Sequence, residues 1–320
     1  MSRLASFVIL ISILLPSSLS AHEFNPAHLL INEIDDISHE YSAQWMYPKK
    51  NIGQRGRVLF PSSCIRKNDP LFYQSKYVVE NITLNCESSI KGNFIEILDL
   101  SVLTDSLVTI NYINGQVFEG LVNLRNSKLL VPNKTSLLGR GYFQLGLVHL
   151  YSGLDHILFL LGLLLLVSGF LNVIKTVTAF TIAHTITLAL SVTGLIYIPQ
   201  STIEILIAIT IIYLAIEISQ NKLYKSTPWL IAFGFGLLHG FGFASALTDI
   251  GFSDGNLFYS LLFFNIGIEL AQIGVILIFS LCIYVMKISS FKFNYSLAIS
   301  YLLGGAGFYW VLDRGISMIF

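Results

Sequence analysis

The stretch HLYSGLDHILFLLGLLLLV, residues 149–167, sets His149, Asp155 and His156 at the head of an almost unbroken leucine run. Imidazole nitrogens and carboxylate oxygens are ligands for Ni(II), Co(II), Zn(II) and Cu(II). Similar groups recur further on. His184 lies in AFTIAHTITLAL, His239 in FGFGLLHGFGFASAL, and Asn265, Glu269 and Gln272 in FFNIGIELAQIG. Neither Met nor Cys stands among them, which argues against Cu(I), a soft ion that prefers sulfur. Asp155 is open to two readings: a direct ligand, or the acceptor that fixes a histidine tautomer from behind.

Spacing gives these residues a common direction. His149 and His156 are two helical turns apart, with Ser152 between them, and Asp155 points about 100° away from His156. Thr181, His184, Thr187 and Ser191 form one polar stripe. Asn265, Glu269 and Gln272 follow i, i+4, i+7. His156, His184, His239 and Glu269 each fall near the middle of an apolar segment, so they are expected to share one layer. Gly236 and Gly240 have the GxxxG spacing that brings membrane helices close, and they bracket His239.

The elements that must carry these groups are transmembrane helices. Hydrophobic residues make up 54% of the 320-residue chain and charged ones only 12%, about half the charge of a soluble domain. Apolar blocks at 143–168, 172–197, 201–219, 228–248, 257–286 and 294–314 are each long enough to cross a bilayer. An ionisable group at that depth costs about 2.5–3.5 kcal/mol on insertion scales, so it faces the bundle interior or a wet cavity. Glu204 and Glu217, near span ends, read as solvated, with an outer vestibule as the alternative for Glu204. Cys282, in an apolar helix, reads as a buried free thiol.

The N-terminus has Arg3, an apolar core and a small-residue end. It reads as a signal peptide over 1–21, cleaved after Ser20 or Ala21. Cleavage after Ala21 would expose His22 as a terminal chelator; His28 and His39 read as surface residues. Residues 22–138 hold most of the polar content. Tyr41, Ala43, Trp45 and Tyr47 alternate onto one face, and Asn114-Gly115 marks a hairpin. A β-sandwich-like extracytoplasmic domain is expected there, with a Cys64–Cys86 disulfide suited to an oxidising compartment. The all-α membrane domain occupies 139–320.

Loops after the first, third and fifth spans carry Lys175, then Lys222 and Lys225, then Lys287 and Lys292, while those after the second and fourth carry no Lys or Arg. The positive-inside rule then sets the β domain and the C-terminus outside a cytoplasmic membrane, with Arg314 just past the last span. Zero net charge and the lack of a basic run or phosphate loop give no indication of nucleic acid or ATP. GLVH at 146–149 and GLLH at 236–239 recur on spans of opposite direction, a trace of inverted repeats.

HLYSGLDH, followed in order by FTIAHTITLAL, LLHGFGFASAL and FNIGIELAQ, resembles the HupE/UreJ family, in the subgroup with an exported N-terminal domain. The likeness spans about 145–275. It implies a permease for nickel, or a related divalent ion such as cobalt, tied to hydrogenase or urease maturation. It assigns metal handling to His149, Asp155 and His156, and matches His184, His239 and Glu269 to later motifs. The β domain would capture metal, bind a protein partner, or cap the permease.

Two other functions fit the residues. The histidines can hold zinc with an open water position, Asp155 or Glu269 acting as general base of an intramembrane hydrolase. Alternatively the membrane part is a metal-sensing or assembly scaffold. Ser245 has no histidine at its depth, which weighs against a serine protease.

Overall fold

The computed structural model describes residues 26–49, 56–74, 76–101, 104–133, 139–220, 228–250, 257–288 and 294–319. The signal-like segment and His22 lie outside the described residues.

The N-terminal part is built of strands: β1 (Ala27–Asp35), β2 (Glu40–Pro48), β3 (Arg57–Leu59), β4 (Cys64–Asn68), β5 (Phe72–Gln74), β6 (Tyr77–Cys86), β7 (Phe94–Leu98), β8 (Ser106–Asn111), β9 (Val117–Val122) and β10 (Lys128–Leu130). A seven-stranded sheet runs β4-β6-β2-β1-β8-β9, with β5 beside β6, and a three-stranded sheet runs β10-β7-β3. The β1–β8 pair is parallel; the other pairs are antiparallel. Leu29, Ile31, Trp45, Val108 and Ile110 of the large sheet share one core with Val58, Ile95 and Ile97 of the small one.

Tyr41, Ala43, Trp45 and Tyr47 are all buried, as their alternation requires. Asn114-Gly115 forms the β8–β9 turn, closed by Tyr112 N donating to Gln116 O at 2.9 Å, with Gly115 at φ 78°. Only Gly, Asn or Asp adopts that conformation readily. Cys64 pairs with Cys86 across β4 and β6 and the two form a disulfide.

The second face of the large sheet is also covered. Met46, Tyr77, Val79 and Leu107 belong to the same apolar cluster as the membrane helices. That explains why five consecutive residues of β8 are buried, a run that alternation alone does not produce. Two polar groups sit at this junction. His28 Nε2 lies 3.0 Å from Thr109 Oγ1, so His28 is a buried residue, not the surface histidine expected. Glu119 of β9 accepts the Gly139 N–H at 3.0 Å, and burial pushes its carboxyl up to about 7.

The helices are α1 (Arg140–Ser152), α2 (Leu154–Leu166), α3 (Phe170–Val192), α4 (Gln200–Ser219), α5 (Pro228–Ile250), α6 (Leu257–Ile288) and α7 (Tyr295–Ile319). Contact register fixes their directions. Phe180 and His184 meet Gly236 and Gly240, so α3 and α5 run parallel. Thr210 and Ile207 meet His239 and Gly242, so α4 and α5 run antiparallel. Ala215 and Glu204 meet Ser300 and Arg314, so α4 and α7 also run antiparallel.

Two sequence expectations are corrected here. Six unbroken spans were expected. Among the described residues four helices are long and apolar enough to cross, Phe170–Val192, Gln200–Ser219, Leu257–Val285 and Tyr295–Ile316, or five if α1 and α2 count as one. α1 and α2 meet at 73° across Gly153, and Pro228–Ala244 is a shorter apolar helix. Cys282 is exposed rather than buried, because on a lipid-embedded helix an apolar surrounding does not require a protein one.

Candidate metal centre

The break between α1 and α2 creates the site. Ser152 Oγ folds back onto Val148 O at 2.8 Å, ending α1, and Gly153 N donates to His149 O at 3.0 Å. Asp155 then opens α2 from its first turn, where a carboxylate complements the helix dipole. His149 is thus on the last turn of one half-helix and His156 on the first turn of the next. They do not share a stripe of one continuous helix, as spacing had suggested. The bend brings their rings together instead, with centroids 4.8 Å apart.

His184 of α3 completes a trio. One ring nitrogen from each of His149, His156 and His184 lies within 4.8 Å of the others, and all three residues are buried. His239 of α5 adds a fourth ring, 5.1 Å from that of His156. Its Nε2 faces Thr210 Oγ1 at 3.4 Å. His184 is buried beside Asn265, and His156 Nε2 and His239 Nδ1 are buried with no hydrogen-bond partner among the described residues. Such groups cost about 1–3 kcal/mol each when left unsatisfied.

Aromatic rings surround the cluster. Phe243 stands 4.1 Å and Phe264 5.5 Å from His149, and Phe159 and Phe180 stand 4.8 Å and 5.1 Å from His239. A cavity of about 10 Å³ beside His156 is lined also by Phe180 and Gln272.

Close helix packing is what lets rings from different helices meet. A Cβ at Gly240 would lie 2.3 Å from His184 O and 2.1 Å from Thr187 Oγ1; one at Gly146 would lie 2.0 Å from Phe264 O. A Cβ at Gly236 would lie 2.4 Å from Phe180 O, so the two GLxH segments do the same job. In each, a glycine docks on a neighbouring helix backbone, and the histidine three residues on enters the cluster.

The other residues singled out by sequence take supporting places. Asp155 Oδ1 accepts from His156 N at 2.9 Å and lies 3.0 Å from His156 Nδ1. Thr187 Oγ1 bonds Ala183 O and His184 O, within its own helix. Asn265 Nδ2 donates to Leu261 O at 2.7 Å. Thr181 Oγ1 donates to Gln272 Oε1 at 2.9 Å, and Thr178 Oγ1 to Glu269 Oε1 at 2.6 Å. Glu269 is half-buried at the α3–α6 seam and does not join the imidazole group. Ser152 points to its own backbone and is exposed.

Four residues take places that the sequence did not indicate. Arg314 reads from sequence as an interfacial residue, yet it is buried and its Nε lies 3.3 Å from Glu204 Oε2. Gln200 Nε2 donates to Glu204 Oε1 at 3.1 Å. Glu204 and Glu217 are not solvated as expected: the Glu204 side chain is 20% exposed and Glu217 is 8% exposed. The available signal was Trp310 one turn before Arg314, whose ring lies 5.7 Å from the guanidinium.

A buried imidazole trio with the spacing to hold a metal ion, two of its members flanking a helix break, thus sits in a multi-pass membrane protein. Residues 125–314, more than half of the chain, match the family described as HupE / UreJ protein. The chain belongs to that family, with a β-sheet domain ahead of the matched region. Membership suggests a transporter rather than an enzyme. No curated protein and no solved structure matches the chain.

Proposed function

We propose that this protein is a permease for a divalent transition metal ion, nickel foremost, with cobalt or zinc as alternatives. The carrying observation is the set of buried imidazoles from separate helices, with ring nitrogens of His156 and His239 left unsatisfied. Neutral imidazole suits Ni(II), Co(II) and Zn(II). Nitrogens sharing one ion stand roughly 3.4 Å apart at a bond length of about 2.0–2.1 Å, so small ring rotations close the trio. Asp155 orients His156 through Nδ1 and leaves Nε2 toward the ion.

The ion enters from the side of the β domain, which we assign to the extracytoplasmic face from the lysine distribution. The mature chain begins at residue 21 or 22, its β domain runs to 138, and the membrane domain follows. A broken helix at membrane depth is a recurring device for ion sites in transporters. The hydrolase reading is less favoured, because Asp155 is held by His156 and Glu269 by Thr178 rather than facing the imidazoles.

Uptake of radiolabelled nickel and cobalt into proteoliposomes tests the proposal. Wild type accumulates metal, and His149→Ala and His156→Ala do not. Equal uptake by all three would contradict it.

A further inference from the structure

We infer that the groove between α3 and α5, at the end of the bundle away from the β domain, binds one anionic phospholipid. Leu171, Ile174, Lys175, Ile182, Trp229 and Phe233 line a cavity of about 510 Å³ there. That volume falls in the ordinary range of small-ligand sites, about 300–1,000 Å³. The Lys175 ammonium stands 5.0 Å from the centroid of the Trp229 ring, a cation–π pair that holds the charge at the groove. Lys175 is exposed, and among the described residues no carboxylate pairs with it. Thr178 also lines the groove but donates its hydroxyl to Glu269 Oε1, which leaves the wall beyond Lys175 apolar.

Helix directions place this groove. Gly139 lies against Phe263 and Gly274 against Tyr151, so α6 runs with α1, which starts at the β domain. Ile276 lies beside Val177 and Asn265 beside His184, so α3 runs against α6. α5 runs parallel to α3. Both therefore begin at the end away from the β domain, with Lys175 on the second turn of α3 and Trp229 on the first turn of α5. The three connections at that end, with the residues flanking them, span 167–175, 218–229 and 286–296. They carry Lys175, Lys222, Lys225, Lys287 and Lys292 and no Asp or Glu. Glu217, on the last turn of α4, is buried. Charge of that sign at a membrane surface attracts anionic lipid.

The chemistry of the occupant follows from the order of the groups. A phosphate at the membrane surface meets the ammonium, with an indole beside it, as is usual at this depth. From Lys175 to Ile182 the wall continues for about 10 Å along α3, and Ile174, Ile182 and Phe233 offer it to an acyl chain. A zwitterionic lipid brings its own cation to the ammonium and gains less from it. The lipid bridges the two helices that carry His184 and His239, and its site does not depend on the permease reading.

The test reconstitutes the full chain in phosphatidylcholine vesicles. The host lipid is replaced stepwise by phosphatidylglycerol or phosphatidylcholine with dibrominated acyl chains, which quench indole emission on contact. The Trp229 share is the emission lost in Trp229→Phe. In the unmodified protein that share is half-quenched at an about five-fold lower mole fraction of the anionic lipid. Lys175→Gln and Lys175→Met abolish the preference, and Lys175→Arg keeps it. Equal quenching by the two lipids in the unmodified protein overturns the proposal. So does a preference that persists in both neutral variants, because a general attraction by the other lysines survives the loss of one. A Trp229 share that neither lipid quenches also overturns it, since a second copy of the chain then covers the groove.

Discussion

One oxygen of Asp155 serves His156 twice: Oδ1 accepts the backbone N–H at 2.9 Å and meets ring Nδ1 at 3.0 Å. The first contact satisfies an amide in the first turn of α2, and the second sets the direction of an imidazole. A residue that looks like a ligand in sequence thus acts as the part that aims one.

Asp155→Asn should weaken metal binding without abolishing it. Loss of a carboxylate behind a ligating histidine typically costs 10–100-fold in affinity. Titration calorimetry with Co(II) should show that loss, whereas His156→Ala should remove binding altogether. Equal damage from both would mean that Asp155 is itself a ligand.

Gly240→Ala should separate α3 from α5. The new methyl would sit 2.3 Å from His184 O, so the helices must move apart, at about 1–3 kcal/mol. Melting temperature and Co(II) affinity should fall together. Gly234→Ala, on the same helix with nothing within 4 Å, should change neither.

Glu119 predicts a pH dependence with a definite sign. Its folded pKa of about 7 exceeds the ordinary 4.5 because burial disfavours the carboxylate. The native state therefore binds the extra proton. The resulting stabilisation is complete below pH 4.5 and is lost as pH rises through 7. Glu119→Gln, still able to accept from Gly139 N, should be the more stable protein at pH 8 by on the order of 3 kcal/mol, and its melting temperature should vary less between pH 5 and 8. Parallel wild-type and variant curves would refute this.

The Cys64–Cys86 bridge closes a loop with a sequence separation of 22. Cys64→Ser should lower the stability of the β domain by about 2–5 kcal/mol, read from the tryptophan fluorescence of Trp45. Cys282→Ser, on an exposed position of α6, should leave that transition unchanged.

Local pattern carried much of the architecture. Alternation in β2, the Asn114-Gly115 turn and the glycine spacing in α5 are short-range signals, and each corresponds to what the chain does. The break at Gly153 was harder to see, because the leucines after it keep the hydropathy continuous. Its signature was a glycine followed by an acid two residues later, a helix stop and start written in SGLD. The Glu204–Arg314 pair is 110 residues apart, and no periodicity reports on such a contact. Glu269 has the right depth but the wrong azimuth, which a helical stripe fixes only relative to its own helix. Lipid-facing and protein-facing apolar residues look alike in sequence, hence Cys282.

X-ray absorption at the nickel edge of the purified, nickel-loaded protein tests the central claim most directly. The account predicts a first shell rich in nitrogen with imidazole outer-shell scattering, lost in a His149→Ala, His156→Ala, His184→Ala triple variant. A shell of oxygens alone, or a spectrum unchanged by the triple substitution, would contradict it.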